Sequence, residues 1–349
     1  MIQKSKKLSF RAKIIIAFSV VFIMLLSITF YNYYLKFFGP NVTGEQEYLY
    51  IPTGSDFDGV FKTVKDQRIV KDSTTFLSSA ENMDYREIKP GKYKLTKGMS
   101  NRKLINMLKA GNQEPVKLGF QNIRLKENFA GLVSKKIEAD SASIIKLMDS
   151  AKFVQNMGFD INSVYTMFIP NSYELYWNTS AEKFFTRMYT EYQKFWNSER
   201  KAAAEKIGLK PIEVSILASI VDGEALHDQE MPAIAGLYMN RLNKGMRLEA
   251  DPTVIFANND FSIRRVLNKH LRKESPYNTY LNKGLPPGPI SMPSIRAIDA
   301  VLNFSTHNYI YMCAKEDFSG YHAFASTLTQ HLVNAKKFQQ ALNDRNIKK

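Results

Sequence analysis

At 349 residues, 44% of them hydrophobic and 12% aromatic, the chain carries enough apolar material for two soluble domains, which sets aside disorder and low complexity. Its one cysteine, Cys313, excludes an intrachain disulfide, a redox pair and a Cys-based zinc site, and His227, His270, His307, His322 and His331 show no H-E-x-x-H spacing, so neither metal nor cofactor is expected. The formal charge of +15 is scattered rather than gathered into one run interleaved with aromatics, so nucleic acid is not an expected partner; a membrane surface or an acidic polymer fits better.

The first element is an uncharged stretch, IIIAFSVVFIMLLSITFY from Ile14 to Tyr31, which with Tyr33 and Tyr34 approaches the ~20 residues that span hydrocarbon. A cleaved signal peptide has an apolar region of about 7 to 15 residues closed by small side chains. Here the stretch closes in Tyr31, Tyr33, Tyr34, Phe37 and Phe38, which favours a retained anchor. Lys4, Lys6, Lys7, Arg11 and Lys13 precede it, so residues 1–13 are expected in the cytoplasm, 14–35 across the inner membrane as a single pass, and the rest on the periplasmic side.

After the break at Gly39 and Pro40, residues 45–115 read as a small α+β module. EYLYIP and GKYKL have strand composition. Phe57 to Val64 and Ser73 to Asn82 read as helices, and SNRKLINMLKAG as a third, with Ser100 as N-cap and Gly111 as stop. The order of Gly91, Tyr93, Leu95, Gly98, Ser100, Leu104 and Leu108 resembles the second half of a LysM-like glycan-binding unit; core packing and caps explain the same positions.

From Pro115 to about Lys210 several helical patterns follow, interrupted by FIPNSYELYW at 168–177, where Pro170 and Asn171 predict a turn before an aromatic strand. Tyr173, Tyr176 and Trp177 suit a core or a sugar face equally in chemistry.

The segment PIEVSILASIVDGEA begins a helix at Pro211, a residue suited to the first helical position. At about 100° per residue, Val214, Leu217, Ala218 and Ala225 lie within about 60° of Val221, Glu224 lies on the edge of that stripe, and Asp222 is turned about 100° away. A carboxyl on the apolar side of a buried helix is costly to ionise, so it can hold a proton near neutral pH and act as a general acid. Pairing with Arg241 or Arg247 would instead make Glu224 a structural ion. Beyond it come a helix opened by Pro232, a turn in which Pro252 is expected to keep Asp251 out of helical conformation, and a stiff Gly/Pro loop from Gly284 to Pro293 suited to lining a groove. Asn240, Asp251, Thr253, Tyr277, Asn278 and Thr279 supply the donors and acceptors that sugar hydroxyls need.

These runs come in a telling order: ASIVDGE at 218–224, NRL at 240–242, GMRLEADPTV at 245–254, YNTY at 277–280, GLPPGPI at 284–290 and YHAF at 321–324. Together they resemble the YceG-like family of endolytic murein transglycosylases (MltG-type), whose E-x-E ends in the catalytic glutamate; FIPNSYELY is similar to its F-P-D-T-Y-E stretch. The resemblance implies an α+β protein: one transmembrane helix, the LysM-like module at 45–115 and a larger α+β catalytic domain at 116–349 with core motifs in 211–335. It implies Glu224 as catalytic acid, with Asn278, Thr279 and His322 holding the sugar or orienting the acid. Asp222 stands where the family has its first glutamate and Gly223 where a larger residue is common, which points to a local break in the helix. The implied reaction cleaves peptidoglycan strands with 1,6-anhydro ends, near peptidoglycan synthases. A muramidase using Asp251 or Asp222 to activate water, and a non-catalytic peptidoglycan-binding scaffold, are the competing functions.

Overall fold

The structure, a computed structural model, describes residues 9–345. Lys4, Lys6 and Lys7, expected on the cytoplasmic side, lie outside those residues, whereas Arg11 and Lys13 fall in the first turn of α1 (Phe10–Phe38). The Ser9 hydroxyl caps this helix by accepting from the Ala12 N–H. It stops at Gly39 because Pro40 lacks an N–H and pushes the preceding residue into extended backbone. The 29 residues of α1 reach about 43 Å at ~1.5 Å per residue, more than the ~30 Å of a hydrocarbon core. Its apolar side chains from Ile14 to Leu35 are exposed.

The chain divides into two compact units. One takes the chain up to Val116 together with Leu175–Asn178; the other takes Lys117–Glu174 and everything from Thr179 onward. In the first, β1 (Tyr48–Ile51), α2 (Phe57–Asp66), α3 (Ser73–Asn82), β2 (Gly91–Lys94) and α4 (Asn101–Ala110) follow α1 in the places their patterns indicate. β1 and β2 pair antiparallel with Leu49 opposite Tyr93, so period-two alternation sends Leu49, Ile51 and Tyr93 to one face. That face meets Val60 and Val64 of α2, Phe76 of α3 and Leu104 of α4. Asp56, Asp72 and Ser100 cap the three helices, and Gly111, at φ 73°, ends α4 in the left-handed region.

β3 (Pro115–Phe120) pairs with β4 (Asn171–Tyr176), most of each lying in the second unit, and between them lie α5 (Lys126–Ser134), α6 (Ser141–Met148) and α7 (Ala151–Gln155). Tyr173 is core: it is buried, and its hydroxyl donates to the Ile169 carbonyl. Tyr176 is 55% exposed. Rings of Phe120, Phe129, Phe168 and Phe184 cluster, with Phe129 and Phe168 centroids 4.5 Å apart. α8 (Ala181–Phe195) and α9 (Ser198–Lys206) lead to α10 (Pro211–Glu224), α11 (Met231–Asn243), α12 (Asp251–Asn258), α13 (Asn268–Leu271) and α14 (Ile295–Leu302). A hairpin of β5 (Tyr311–Ala314) and β6 (His322–Ala325) follows, with α15 (Leu328–Asp344) packed on it.

α10 is the hub of this unit, touched by α9, α11, α12 and α14. Every residue from Val214 to Val221 is buried, so the helix is enclosed on all sides rather than along one stripe. Its two serines survive burial because Ser215 donates to the Pro211 carbonyl and Ser219 to that of Ile216. Two further expectations fail nearby. Most of the Gly/Pro loop is not the wall of an open groove: Pro286 and 288–293 are buried, and the Ile290 N–H donates to the Ser219 hydroxyl, so the loop is a strap across α10 that lends Pro289 to the lining of one cavity. Asp251 is helical: it opens α12, where Pro252 is tolerated because the first-turn N–H groups have no intrahelical acceptor.

Candidate active site

α10 ends at Glu224, with Ala225 already extended, and the middle of α11 and the start of α12 converge on its carboxyl. From α11, the buried Tyr238 donates its hydroxyl to Glu224 Oε1 at 2.9 Å. From the start of α12, the Asp251 N–H donates to the same carboxyl. Asp251 in turn accepts from the Tyr280 hydroxyl at 2.7 Å. All four residues line a cavity of about 290 Å³.

Burial pushes the Glu224 carboxyl up to about 7, and the Asp251 charge adds to the rise, while the Tyr238 hydroxyl and the Asp251 N–H oppose it. Burial also holds Tyr238 and Tyr280 well above the usual phenol range, Tyr238 further raised by Glu224 and Tyr280 by Asp251, so both stay hydrogen-bond donors. A carboxyl that titrates near neutrality, held by neutral donors at the edge of a cavity, can give up a proton and take one back.

Neither arginine occupies Glu224. The buried Arg241 guanidinium donates to the Arg247 and Ile310 carbonyls and pairs with Glu249. Among the described residues Glu224 has no ion pair, so the structural-ion alternative does not hold. Asp222 points away, as the helical period predicts: its carboxylate accepts the N–H and hydroxyl of Ser294, the residue that caps α14. Gly223 does not break the helix, which runs through it; a Cβ there would lie 3.0 Å from the Pro252 ring, so glycine lets α10 and α12 close up beside the acid.

Of the residues read as sugar contacts, Asp251 and His322 share the cavity with Glu224. His322 is positioned by Glu230, itself buried, which accepts both its backbone N–H and its Nδ1, each at 2.7 Å, leaving Nε2 as the ring's uncommitted nitrogen. The others do not line it. Thr253 and Thr279 are fully buried, hydrogen-bonded to each other at 2.8 Å, with Thr279 also accepting the Ala250 N–H. Buried Asn278 donates to the Leu271 and Lys273 carbonyls, and Asn240 to those of His307 and Tyr309; these side chains hold loops in place. Tyr277 packs on Phe256 and lines a separate cavity. Tyr238 and Tyr280 are what the sequence reading missed. A buried tyrosine usually places its hydroxyl on a partner, and Tyr238, two residues before the NRL run at 240–242, is such a residue.

No group of His, Cys, Asp and Glu among the described residues has the arrangement of a metal site. The sequence compares with an endolytic murein transglycosylase of Bacillus subtilis at 27% identity over 318 residues, covering 84% of this chain and 85% of that protein. With an endolytic murein transglycosylase of Streptococcus pneumoniae the identity is 26%, and the match covers 81% of this chain and 57% of the relative. A crystal structure of a yceG-like protein from Listeria monocytogenes superposes with a TM-score of 0.54 at 26% identity, covering 82% of this chain and 98% of that one. The pattern of the YceG-like family itself matches residues 49–337, from β1 into α15 and across the whole Glu224 cavity, and with most of its length so matched the chain belongs to that family.

Proposed function

We propose that this chain is an endolytic murein transglycosylase that cuts the bond between N-acetylmuramic acid and N-acetylglucosamine inside glycan strands, with Glu224 as acid and then base. One observation carries the reading: a carboxyl raised to about 7 sits at a cavity, held by a tyrosine hydroxyl rather than locked to a guanidinium. Protonated Glu224 gives its proton to the glycosidic oxygen. As carboxylate it takes the proton of the muramyl C6 hydroxyl while that oxygen attacks C1, leaving a 1,6-anhydro ring. No water enters, so one carboxyl suffices where hydrolases need two. Tyr238 fixes one carboxyl oxygen, and Asp251 and His322 are assigned to the sugar.

The exposed apolar α1, with Arg11 and Lys13 at its start, supports a single-pass anchor in the inner membrane with the rest of the chain periplasmic. Strand β2, the turn at Gly98 and the Ser100-capped α4 support the LysM-like reading of 45–115 as a glycan-holding module. Peptidoglycan synthases, which deliver new strands at that membrane, are the assigned neighbours. Digestion of purified peptidoglycan, followed by mass analysis, tests the function: anhydro-ended fragments are expected. The cavity shared by Glu224 and Asp251 favours one second reading, a muramidase in which Asp251 activates water. Fragments heavier by one water would establish that reading and remove the first.

A further inference from the structure

Glu224 and Asp251 also line a second, larger cavity of about 770 Å³, so the acid stands where two cavities meet. The two differ in chemistry. Around the first, the one guanidinium is already engaged by Glu249 and two carbonyls. The second has apolar walls, Ile255 and Val266 on one side and Phe338 and Leu342 of α15 on the other, and at its edge stand Arg264 and Arg265. Both arginines are exposed, and among the described residues neither has an ion pair. Of the carboxylates nearby, Asp260 is spent on the N–H and hydroxyl of Ser262, and Asp251, which lines the same cavity, accepts the Tyr280 hydroxyl. Phe261, packed under Arg124 with the guanidinium 4.7 Å from the ring centroid, holds the segment in place.

Two adjacent free guanidinium groups at the mouth of an apolar cavity, beside the acid, fit a carboxylate carried on a partly apolar branch. In peptidoglycan that branch is the muramyl 3-O-lactyl group, which ends in its own carboxylate or continues into a stem peptide that carries others. We propose that Arg264 and Arg265 bind the carboxylate of this branch and so set which sugar of the strand stands next to Glu224. The inference rests on the transglycosylase reading and assigns them as specificity-determining residues rather than catalytic ones.

The test uses the full chain in detergent micelles and three substrates: strands bearing stems, strands freed of stems with the lactyl carboxylate exposed, and the latter after methyl esterification. R264Q/R265Q is expected to raise KM about tenfold on charged strands and leave kcat within about twofold, the signature of lost binding outside the chemical step. The wild type should lose a similar factor on esterified strands, where the variant loses nothing more, and R264K/R265K should recover part of the affinity. A loss confined to stem-bearing strands identifies the stem carboxylates as the ligand; a loss confined to bare strands identifies the lactyl group. Equal KM for variant and wild type on all three, or a fall in kcat alone, overturns the proposal. A wild type that yields no anhydro ends on any substrate overturns the transglycosylase reading itself. The single variants R264Q and R265Q, with unchanged melting temperature, exclude misfolding as the cause.

Discussion

Each unit contains a polar cluster, buried in the first and partly open in the second, where Tyr238 is buried, Glu224 and Tyr280 are half-buried and Asp251 is exposed, and the two are built to opposite ends. In the first, Asn41 donates to Asn101 Oδ1 at 2.7 Å and to the Asp72 carbonyl, and accepts the Asp72 N–H; Asn101 donates to the Lys36 carbonyl and to Thr75. The side chains at its centre are neutral amides, and their donors and acceptors are engaged within the cluster. In the second, Glu224, Tyr238, Asp251 and Tyr280 are all titratable, and the cluster opens on a cavity. Burial stabilises a closed neutral cluster as structure. In the open ionisable one the same burial shifts a proton equilibrium, which is a means of catalysis.

The sharpest way to break that contrast is Glu224→Gln. General acid and base action contributes roughly 10²- to 10⁴-fold, so release of anhydro fragments should fall by at least about a hundredfold in a variant that still folds. Stability should respond in the other direction. The folded carboxyl holds its proton to about 7 and the unfolded one loses it near 4.5, so between those values the native state binds more protons and wild-type stability declines as pH rises. The variant has no such slope, and its advantage should grow across that window to about 3 kcal/mol at most, at ~1.4 kcal/mol per pKa unit. Melting curves of both proteins at pH 5 and pH 8, whose difference should widen, check this. A constant difference would mean that the carboxyl is not held protonated.

Asn101→Ala probes the closed cluster. It removes the bonds Asn101 makes to the Lys36 carbonyl, to Thr75 and to the Asn41 amide, each worth about 0.5 to 1.5 kcal/mol, while the Lys36 carbonyl keeps the Ser79 hydroxyl and the Asn41 amide keeps the Asp72 carbonyl. Stability of the first unit should drop by about 1 to 3 kcal/mol, read by denaturant titration, with the pH profile of cleavage unmoved. A shifted profile would erase the distinction between the clusters.

How much of this was legible follows from what each signal encodes. The period of 3.6 placed Glu224 on an apolar edge and turned Asp222 away, because both facts belong to one helix. Tyr238 reaches the acid and Tyr280 its neighbour Asp251 from other elements, and no local pattern records such a meeting. Thr253, Asn278 and Thr279 stand away from the cavity for a related reason: loops that must satisfy their own backbone use the same hydroxyls and amides that bind sugars. Glycines and prolines announced a stiff loop, but stiffness does not say whether a loop lies open or, as at Ile290, passes over the core.

Within the open cluster, Tyr238→Phe separates holding the acid from being the acid. One lost hydrogen bond to a carboxyl is worth about 1 to 2 kcal/mol, so kcat should fall roughly tenfold rather than vanish. Because the Tyr238 bond lowers the Glu224 pKa, its removal raises it, and the alkaline limb of the pH–rate profile should move to higher pH. A limb moving downward would assign it to another group.

The smallest change bears on how closely the cluster is set. Alanine at Gly223 gains helix propensity, up to about 1 kcal/mol in a helix interior and less in the last turn. Against this, its Cβ would stand 3.0 and 3.1 Å from two carbons of the Pro252 ring, which is held by its own fixed φ and cannot swing aside. The two effects nearly cancel, so the melting temperature should move little. Relief must come from α12 sliding by a few tenths of an ångström, and α12 begins with the Asp251 N–H that holds Glu224. Catalysis feels misplacement that stability does not, so kcat should fall about three- to tenfold while KM holds. An unchanged kcat would show that the spacing of α10 and α12 is not what positions the acid.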